Sequence, residues 1–334
     1  MMKNILLAVA VTAFAFFGAE DVLAKDAVKG HFKPLTDGIA ENAADKSNGA
    51  REELGKMLFM DPRLSKSGFL SCNSCHNIST GGVDNLSTSI GHGWQIGPRN
   101  APTVFNAALN GTQFWDGRAK DVEEQAGGPI LNPGEMGSNE ALVLERLGSI
   151  DQYKKLFRKA FPDDAEPLNY KNVARAIAAF ERTLITPSRF DAYLKGKDGA
   201  LSKAEKNGLK LFVDKGCVAC HNGVNVGGAK FTSFDYGSDE GRFSVTKKEA
   251  DKKSFRVASL RNAELTYPYF HDGSVWTLEE AVKIMGKKQL NKDLTDEETA
   301  DIVAFIKALT GEHPVVRMPA LPPSVASTPR PEVR

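Results

Sequence analysis

Cys72-Asn73-Ser74-Cys75-His76 and Cys217-Val218-Ala219-Cys220-His221 are the two frames that decide how this chain is read. Together they use all four cysteines of the 334-residue sequence. Cys-x-x-Cys-His is the attachment signature of a c-type haem: two thiols add to the vinyl groups of one porphyrin, and the adjacent His is held where its imidazole reaches the iron. A redox dithiol needs one Cys-x-x-Cys and gives the following His no role. Structural zinc wants four ligands in a tetrahedron, which an adjacent Cys and His do not easily join together. A disulfide within each frame would have no reason to recur with a His. The frames therefore predict two covalently bound haem c groups, with His76 and His221 as iron ligands.

The surroundings of the frames also repeat. Gly55-Lys56-Met57-Leu58-Phe59 precedes the first and Gly208-Leu209-Lys210-Leu211-Phe212 the second. Downstream, Arg99-Asn100-Ala101, Phe114-Trp115-Asp116-Gly117 and Glu123-Glu124 are echoed by Arg261-Asn262-Ala263, Phe270-His271-Asp272-Gly273 and Glu279-Glu280, with equal spacing from the Phe onward. Self-similarity over roughly 150 residues is too long for a solenoid unit and reads as a duplicated domain.

Between the motifs the apolar periodicity is helical. Asn169 to Thr186 carries Val173, Ile177, Phe180 and Leu184 on one face and stops at Pro187. Thr295-Asp296-Glu297-Glu298 is a capping box for a helix through Ile302, Phe305, Ile306 and Leu309, which Gly311 can close. No stretch sustains two-residue alternation. The expected fold is all-α: two cytochrome c-type haem domains related by duplication, residues 25–187 and 188–312, then an extended Pro-rich C-terminal tail, 313–334. The tail has no periodicity and suits an extended path across a neighbouring domain. Lys247 to Lys253 reads as a solvated loop.

Residues 1–24 form their own unit. Lys3, the apolar run Ile5 to Gly18 and the small-residue signal ending at Ala24 read as a secretory signal peptide cleaved near Ala24. The apolar run is shorter than the roughly 20 residues of a spanning helix. The expectation is an exported, periplasmic protein. Lys plus Arg total 43 against 42 Asp plus Glu, a balance that gives no electrostatic case for nucleic acid as a partner. With 41% hydrophobic residues and 25% charged, composition excludes collagen-like, wholly disordered and polytopic membrane classes.

The sequence resembles the bacterial di-haem cytochrome c peroxidase family over nearly the whole mature chain. The resemblance is carried by both haem frames, Gly91-His92-Gly93, Arg99-Asn100-Ala101-Pro102-Thr103, Phe114-Trp115-Asp116-Gly117-Arg118, Gln125-Ala126, Asn132-Pro133-Gly134-Glu135-Met136 and Tyr269-Phe270-His271-Asp272-Gly273. It implies reduction of hydrogen peroxide to water, with electrons delivered singly through the second haem by a monohaem cytochrome c or a blue-copper protein. It further implies that Glu135 is the acid-base residue, that Gln125 hydrogen-bonds in the same pocket, and that Trp115 carries electrons between the haems.

The same resemblance makes His92, in its glycine-rich loop, a removable ligand of the first iron and Met285 the sixth ligand of the second. Met285 also lies in a helical stretch after the Asp-Gly turn, whereas Met318 sits in the tail. A calcium ion held by the Asn100 side chain and the main-chain oxygens of Thr266 and Pro268, and a homodimer, complete what the family implies. Read without the family, Glu135 suits a solvated turn, His92 a surface loop, Met285 core filling and Trp115 packing. Two rivals remain: a non-catalytic di-haem electron carrier, and a related di-haem enzyme that oxidises a partner protein. The second type has Tyr where Met285 stands here.

Overall fold

A computed structural model describes residue 28, residues 30–35 and residues 49–333; the signal-peptide reading of residues 1–24 lies outside the described residues. The longer elements are α1 (Gly49–Met60), α2 (Cys72–Cys75), α3 (Val122–Leu131), α4 (Glu140–Gly148), α5 (Asp151–Ala160), α6 (Tyr170–Glu181), α7 (Arg189–Leu194), α8 (Lys203–Lys215), β1 (Phe231–Ser233), α9 (Phe243–Thr246), β2 (Ser254–Arg256), α10 (Leu278–Leu290) and α11 (Asp296–Lys307). Short 3-10 turns join them. Among the described residues no helix is long and apolar enough to cross a membrane.

The strands correct the all-α expectation: the fold is mostly helical with one small antiparallel pair, Phe231 opposite Arg256 and Ser233 opposite Ser254. Three residues are too few to display an alternating pattern, and every residue of β2 is buried, so the sequence carried no two-residue period to detect. Lys247 to Lys253 lies within the connection between the strands, with Lys247, Lys248 and Lys252 exposed as expected of a solvated segment.

Local chemistry sets the helix starts. The Thr295/Glu298 box opens α11 as read from sequence, and Ser202 with Glu205 forms a second box at α8. Asn169 caps α6 through the Asn172 amide. Two ends differ from expectation. α6 stops at Glu181, because Thr183 and Leu184 close tight turns back onto Phe180 and Glu181. α11 ends at Lys307, capped by Ala308; Gly311 instead donates its amide to Asn262 Oδ1 at 3.0 Å.

The two largest apolar clusters of the described residues are separate cores. The first gathers Leu58 and Phe59 of α1, Ala126 and Ile130 of α3, Val143 and Leu147 of α4, Tyr153 and Phe157 of α5, and Ile177 and Phe180 of α6. The second gathers Phe190, Leu209, Phe212, Ile302, Phe305 and Ile306. In each, the helix before a Cys frame crosses a later helix at a glycine. A Cβ on Gly55 would lie 1.8 Å from the Ala176 carbonyl oxygen, and one on Gly208 would lie 1.8 Å from that of Asp301. The next contacts are Phe180 Cβ and Phe305 Cβ, at 3.1 and 3.0 Å. The two crossings thus superpose residue for residue: Ala176 with Asp301, Phe180 with Phe305.

The segments at the chain ends pack on the opposite core. Val28 and Phe32 enter the second core, where Phe32 meets Phe190 edge-on at 5.2 Å and Leu35 N donates to Asp191 at 2.6 Å. Asp191 is itself buried against Arg261, both bonds at 2.8 Å. At the other end, His313 stacks on Phe105 at 4.4 Å. Pro322 O accepts from Arg63 at 2.7 Å, Arg330 O from Arg146 at 3.1 Å, and Glu332 N donates to Lys66 O at 3.0 Å. Replacing Gly55 or Gly208 by Ala forces a methyl into a carbonyl, so each variant is expected to lose about 1–3 kcal/mol. The denaturant midpoint of the holoprotein checks this; an unshifted midpoint would mean that the helices part without strain.

Candidate functional site

Each Cys frame opens onto its own cavity. In the first half α2 holds Cys72 and Cys75, and His76 N donates to Cys72 O at 2.9 Å. In the second half Gly216, in the left-handed region at φ 101°, ends α8 and starts the turn bearing Cys217 and Cys220. The first cavity, about 720 Å³, is lined by Cys72, Cys75, His76, Trp115, Gln125 and Glu135, among others. The second, about 220 Å³, is a mainly apolar slot whose lining includes Cys217, Cys220, His221 and Met285. Asn100, Ala101, Pro102, Thr103 and Trp115 line both.

The donors in these cavities suit a covalent haem. No disulfide joins the four cysteines among the described residues, and burial pushes the Cys75 thiol up to about 11 and raises Cys72 and Cys217 as well. Such thiols are not the low-pKa thiolates of a redox dithiol. Burial lowers His221 to about 4, against the pull of the Val226 and Ala258 carbonyls, and lowers His76 against Asp84 and the Pro102 and Gly82 carbonyls. Both imidazoles are therefore neutral, the form that ligates iron. Their buried Nδ1 atoms lack a well-formed hydrogen bond. Among the described residues no cluster of three or more His, Cys, Asp or Glu side chains forms a metal site.

Glu135 and Gln125 share the first cavity. Asn132 Nδ2 donates to Glu135 Oε1 at 2.7 Å, leaving Oε2 for another partner. Burial raises the Glu135 pKa above the usual carboxylate range, with the Arg118 charge and the Asn132 bond opposing. Arg118 lies 3.5 Å over the Phe114 ring and bonds Asp116 at 2.9 Å. Arg99 joins Asp116 at 2.6 Å and Asp239 at 2.6 Å, so this wall is a chain of alternating charges.

His92 is placed differently. Its amide donates to Glu135 O at 2.6 Å, but its ring packs against Gly137, where a Cβ would come within 2.8 Å of it. Gly91 lines the first cavity and the His92 ring does not.

Trp115 bridges the two halves: its Nε1 donates to Asn100 O at 2.9 Å, and Asn100 N donates to His271 O at 2.8 Å. Asn100 Nδ2 is spent on the carbonyls of Leu86 and Ser87, at 3.0 and 3.3 Å. Its Oδ1 is left as an acceptor. Thr266 and Pro268 line the same second cavity.

The structure corrects the register of the internal repeat. Asn106 and Asn262, both left-handed at φ 58° and 61°, each begin a 3-10 turn and each donate to the one Thr186 hydroxyl, at 2.7 and 2.9 Å. Phe114 and Phe270 share positive φ, and the bridges Gln113–Ala119 and Tyr269–Val275 correspond. A constant offset of 156 residues, Gly117 to Gly273, therefore matches Phe105-Asn106-Ala107, not Arg99-Asn100-Ala101, to Arg261-Asn262-Ala263. The identical Arg-Asn-Ala letters masked this, since the backbone demands only the left-handed Asn. The same offset carries Met285 onto Pro129. Both line their cavities, so the first half has a side chain with no donor where the second has a thioether. Met136 and Glu181, which sequence reasoning did not place in the site, also line the first cavity.

Comparison with known proteins agrees with this architecture. The family model "Di-haem cytochrome c peroxidase" matches residues 49–199 and "Cytochrome c" matches 205–310. Cytochrome c551 peroxidase of Pseudomonas aeruginosa is 53% identical over 311 residues, covering 90% of each chain. That of Nitrosomonas europaea is 52% identical over 296 residues, covering 86% of this chain and 88% of the relative. Among solved structures, a MauG-like protein associated with microbial copper homeostasis superposes with TM-score 0.73 at 32% identity, over 79% of this chain and 90% of that one. The chain belongs to the di-haem cytochrome c peroxidase family, and its cofactors are two haem c groups.

Converting Cys217 and Cys220 together to Ser is expected to leave a protein carrying one covalent haem, read as half the wild-type haem per chain by denatured-protein absorbance and by mass. Retention of two covalent haems would refute the assignment of these thiols.

Proposed function

We propose that this chain is a periplasmic cytochrome c peroxidase that reduces hydrogen peroxide to water with electrons from a small redox protein. The carrying observation is the inequality of the two cavities. One is lined by Met285 as well as His221, the other by Pro129 at the matching position together with Gln125 and a half-buried Glu135. When bound, haem supplies the iron through which single electrons pass and at which the peroxide O–O bond is reduced.

The protein's part is proton handling and positioning. Glu135, ionised, takes the proton of the nearer peroxide oxygen at Oε2, while Asn132 holds Oε1. It then returns that proton to the departing oxygen, so that water leaves in place of hydroxide. Gln125 orients peroxide from α3. Trp115, on the wall common to both cavities, carries electrons across. His92 serves as a ligand of the resting form only; its Gly91-His92-Gly93 loop, with Gly93 at φ 65°, gives the backbone freedom to move. Asn100 Oδ1 with the Thr266 and Pro268 main-chain oxygens is an all-oxygen donor set suited to a hard cation, calcium, with waters completing the shell.

The donor, a monohaem cytochrome c or blue-copper protein, docks transiently beside the second cavity. Export through residues 1–24, descent of the two halves from one duplicated domain and a homodimeric assembly belong to the same reading. Met285 separates it from partner-oxidising relatives, and Glu135 from a plain electron carrier. Peroxide turnover with reduced cytochrome c, comparing fully oxidised and half-reduced enzyme while following both haem spectra, tests it; a loaded protein that leaves peroxide untouched in both states would overturn it.

Glu135→Gln is expected to keep both haem spectra and lower turnover roughly a hundredfold or more; full activity would remove its role. Trp115→Ala is expected to slow electron transfer between the haems in flash or stopped-flow measurements, and an unchanged rate in a folded variant would take it off the path.

A further inference from the structure

We propose that Glu181 is a proton-exchanging group of the first cavity that takes up a proton from solvent as the haem held there gains an electron. This rests on the reading that the first cavity holds a haem. Glu181 is the last residue of α6, only 6% exposed, and lines that cavity. No hydrogen bond to its carboxyl group occurs among the described residues. The helix crossings at Gly55 and Gly208 fix its counterpart: Phe180 matches Phe305, so Glu181 matches Ile306, which lines the second cavity. One half thus places a carboxyl where the other places a hydrocarbon, at the same wall of the same fold. Burying an unpartnered carboxyl is costly, and the apolar solution is present in the other half of the same chain.

The surroundings make its charge responsive. Burial pushes the carboxyl up to about 8, outweighing the opposing pull of Arg182, its neighbour in sequence. The thiol of Cys72 on α2 senses the charge of Glu181 and becomes an uncharged thioether once joined to haem. α1, α3 and α4, packed against α6, set apolar residues such as Phe59, Ala126 and Val143 into the shared core. The remaining charges of the cavity are already engaged: Glu135 feels Arg118, and Asp116 and Asp239 hold Arg99. An electron arriving in this poorly screened space disfavours a second negative charge. Above about pH 8, where Glu181 is ionised in the oxidised protein, one electron and one solvent proton therefore give the reduced centre with neutral Glu181. Each peroxide reduced to two waters consumes two electrons and two protons, and the redox-protein donor supplies only electrons.

The test is the midpoint potential of the first haem in the intact holoprotein, followed by spectroelectrochemistry from pH 6 to 10. Above about pH 8 the wild-type potential is expected to fall by about 59 mV per pH unit, one tenfold step per proton, and Glu181→Gln is expected to flatten this slope with both haems retained. A flat wild-type profile, or an undiminished slope in the variant, would overturn the proposal. Should the variant fail to load haem, the redox infrared difference spectrum of the wild type, recorded above pH 8, decides: gain of a deuterium-sensitive carboxylic acid C=O band on reduction supports it, and absence of that band overturns it. A wild-type protein without covalent haem at Cys72 and Cys75 would instead overturn the underlying reading, a result distinguishable by absorbance before any titration.

Discussion

Two helices can approach at backbone distance only where no Cβ stands between them, and the placement of both cavities follows from meeting that condition twice. Gly55 lets α1 lie on α6, and Gly208 lets α8 lie on α11. α8 then delivers its Cys frame through one left-handed glycine, while α1 reaches the first frame through a buried turn in which Arg146 binds the carbonyls of Arg63, Ser65 and Lys66. Because each crossing fixes rotation as well as distance, the ends of α6 and α11 present equivalent residues to the two cavities. Beyond the strand pair of the second half and α4 and α5 of the first, the halves differ in which side chain stands at a shared position.

Read that way, the chemistry is a short set of substitutions on a common frame. Pro129 stands against Met285, a side chain without a donor atom against a thioether. Gln125 against Ala281 adds a polar group, and Glu181 against Ile306 adds an acid. Trp115 against His271 sets two aromatic rings edge-on at 6.4 Å across the joint between the halves. The first cavity is thus lined by the Gln125 carboxamide and the Glu135 and Glu181 carboxyl groups, the second by mainly apolar side chains and a thioether.

Much of this was legible because haem attachment demands adjacent residue types that no other use of cysteine requires. The Cys frames, the capping box at Thr295 and the helix through Val173, Ile177 and Phe180 all stand where the sequence puts them. The misread parts have physical reasons. A three-residue strand carries no period, and the Arg-Asn-Ala echo matched letters where the fold matches a left-handed Asn at 106 and 262. Glu181 was hidden because a glutamate at the end of an amphipathic helix looks solvated until the helix packing is known. The position of the His92 ring, against Gly137 and off the cavity, depends on a loop conformation that no spacing rule encodes.

The exchanged ends carry a last consequence. Phe32 is seated among Phe190, Phe212 and Phe305 of the second core, while Pro322, Thr328 and Arg330 are bonded to Arg63, Ser149 and Arg146 of the first. Severing the connection near Pro187 would yield two fragments that each carry a strip of the other's interior. Such pieces behave as a clasped pair and not as free modules: a nick there leaves the molecule assembled, and either fragment produced alone displays an unfilled aromatic socket or an uncovered flank.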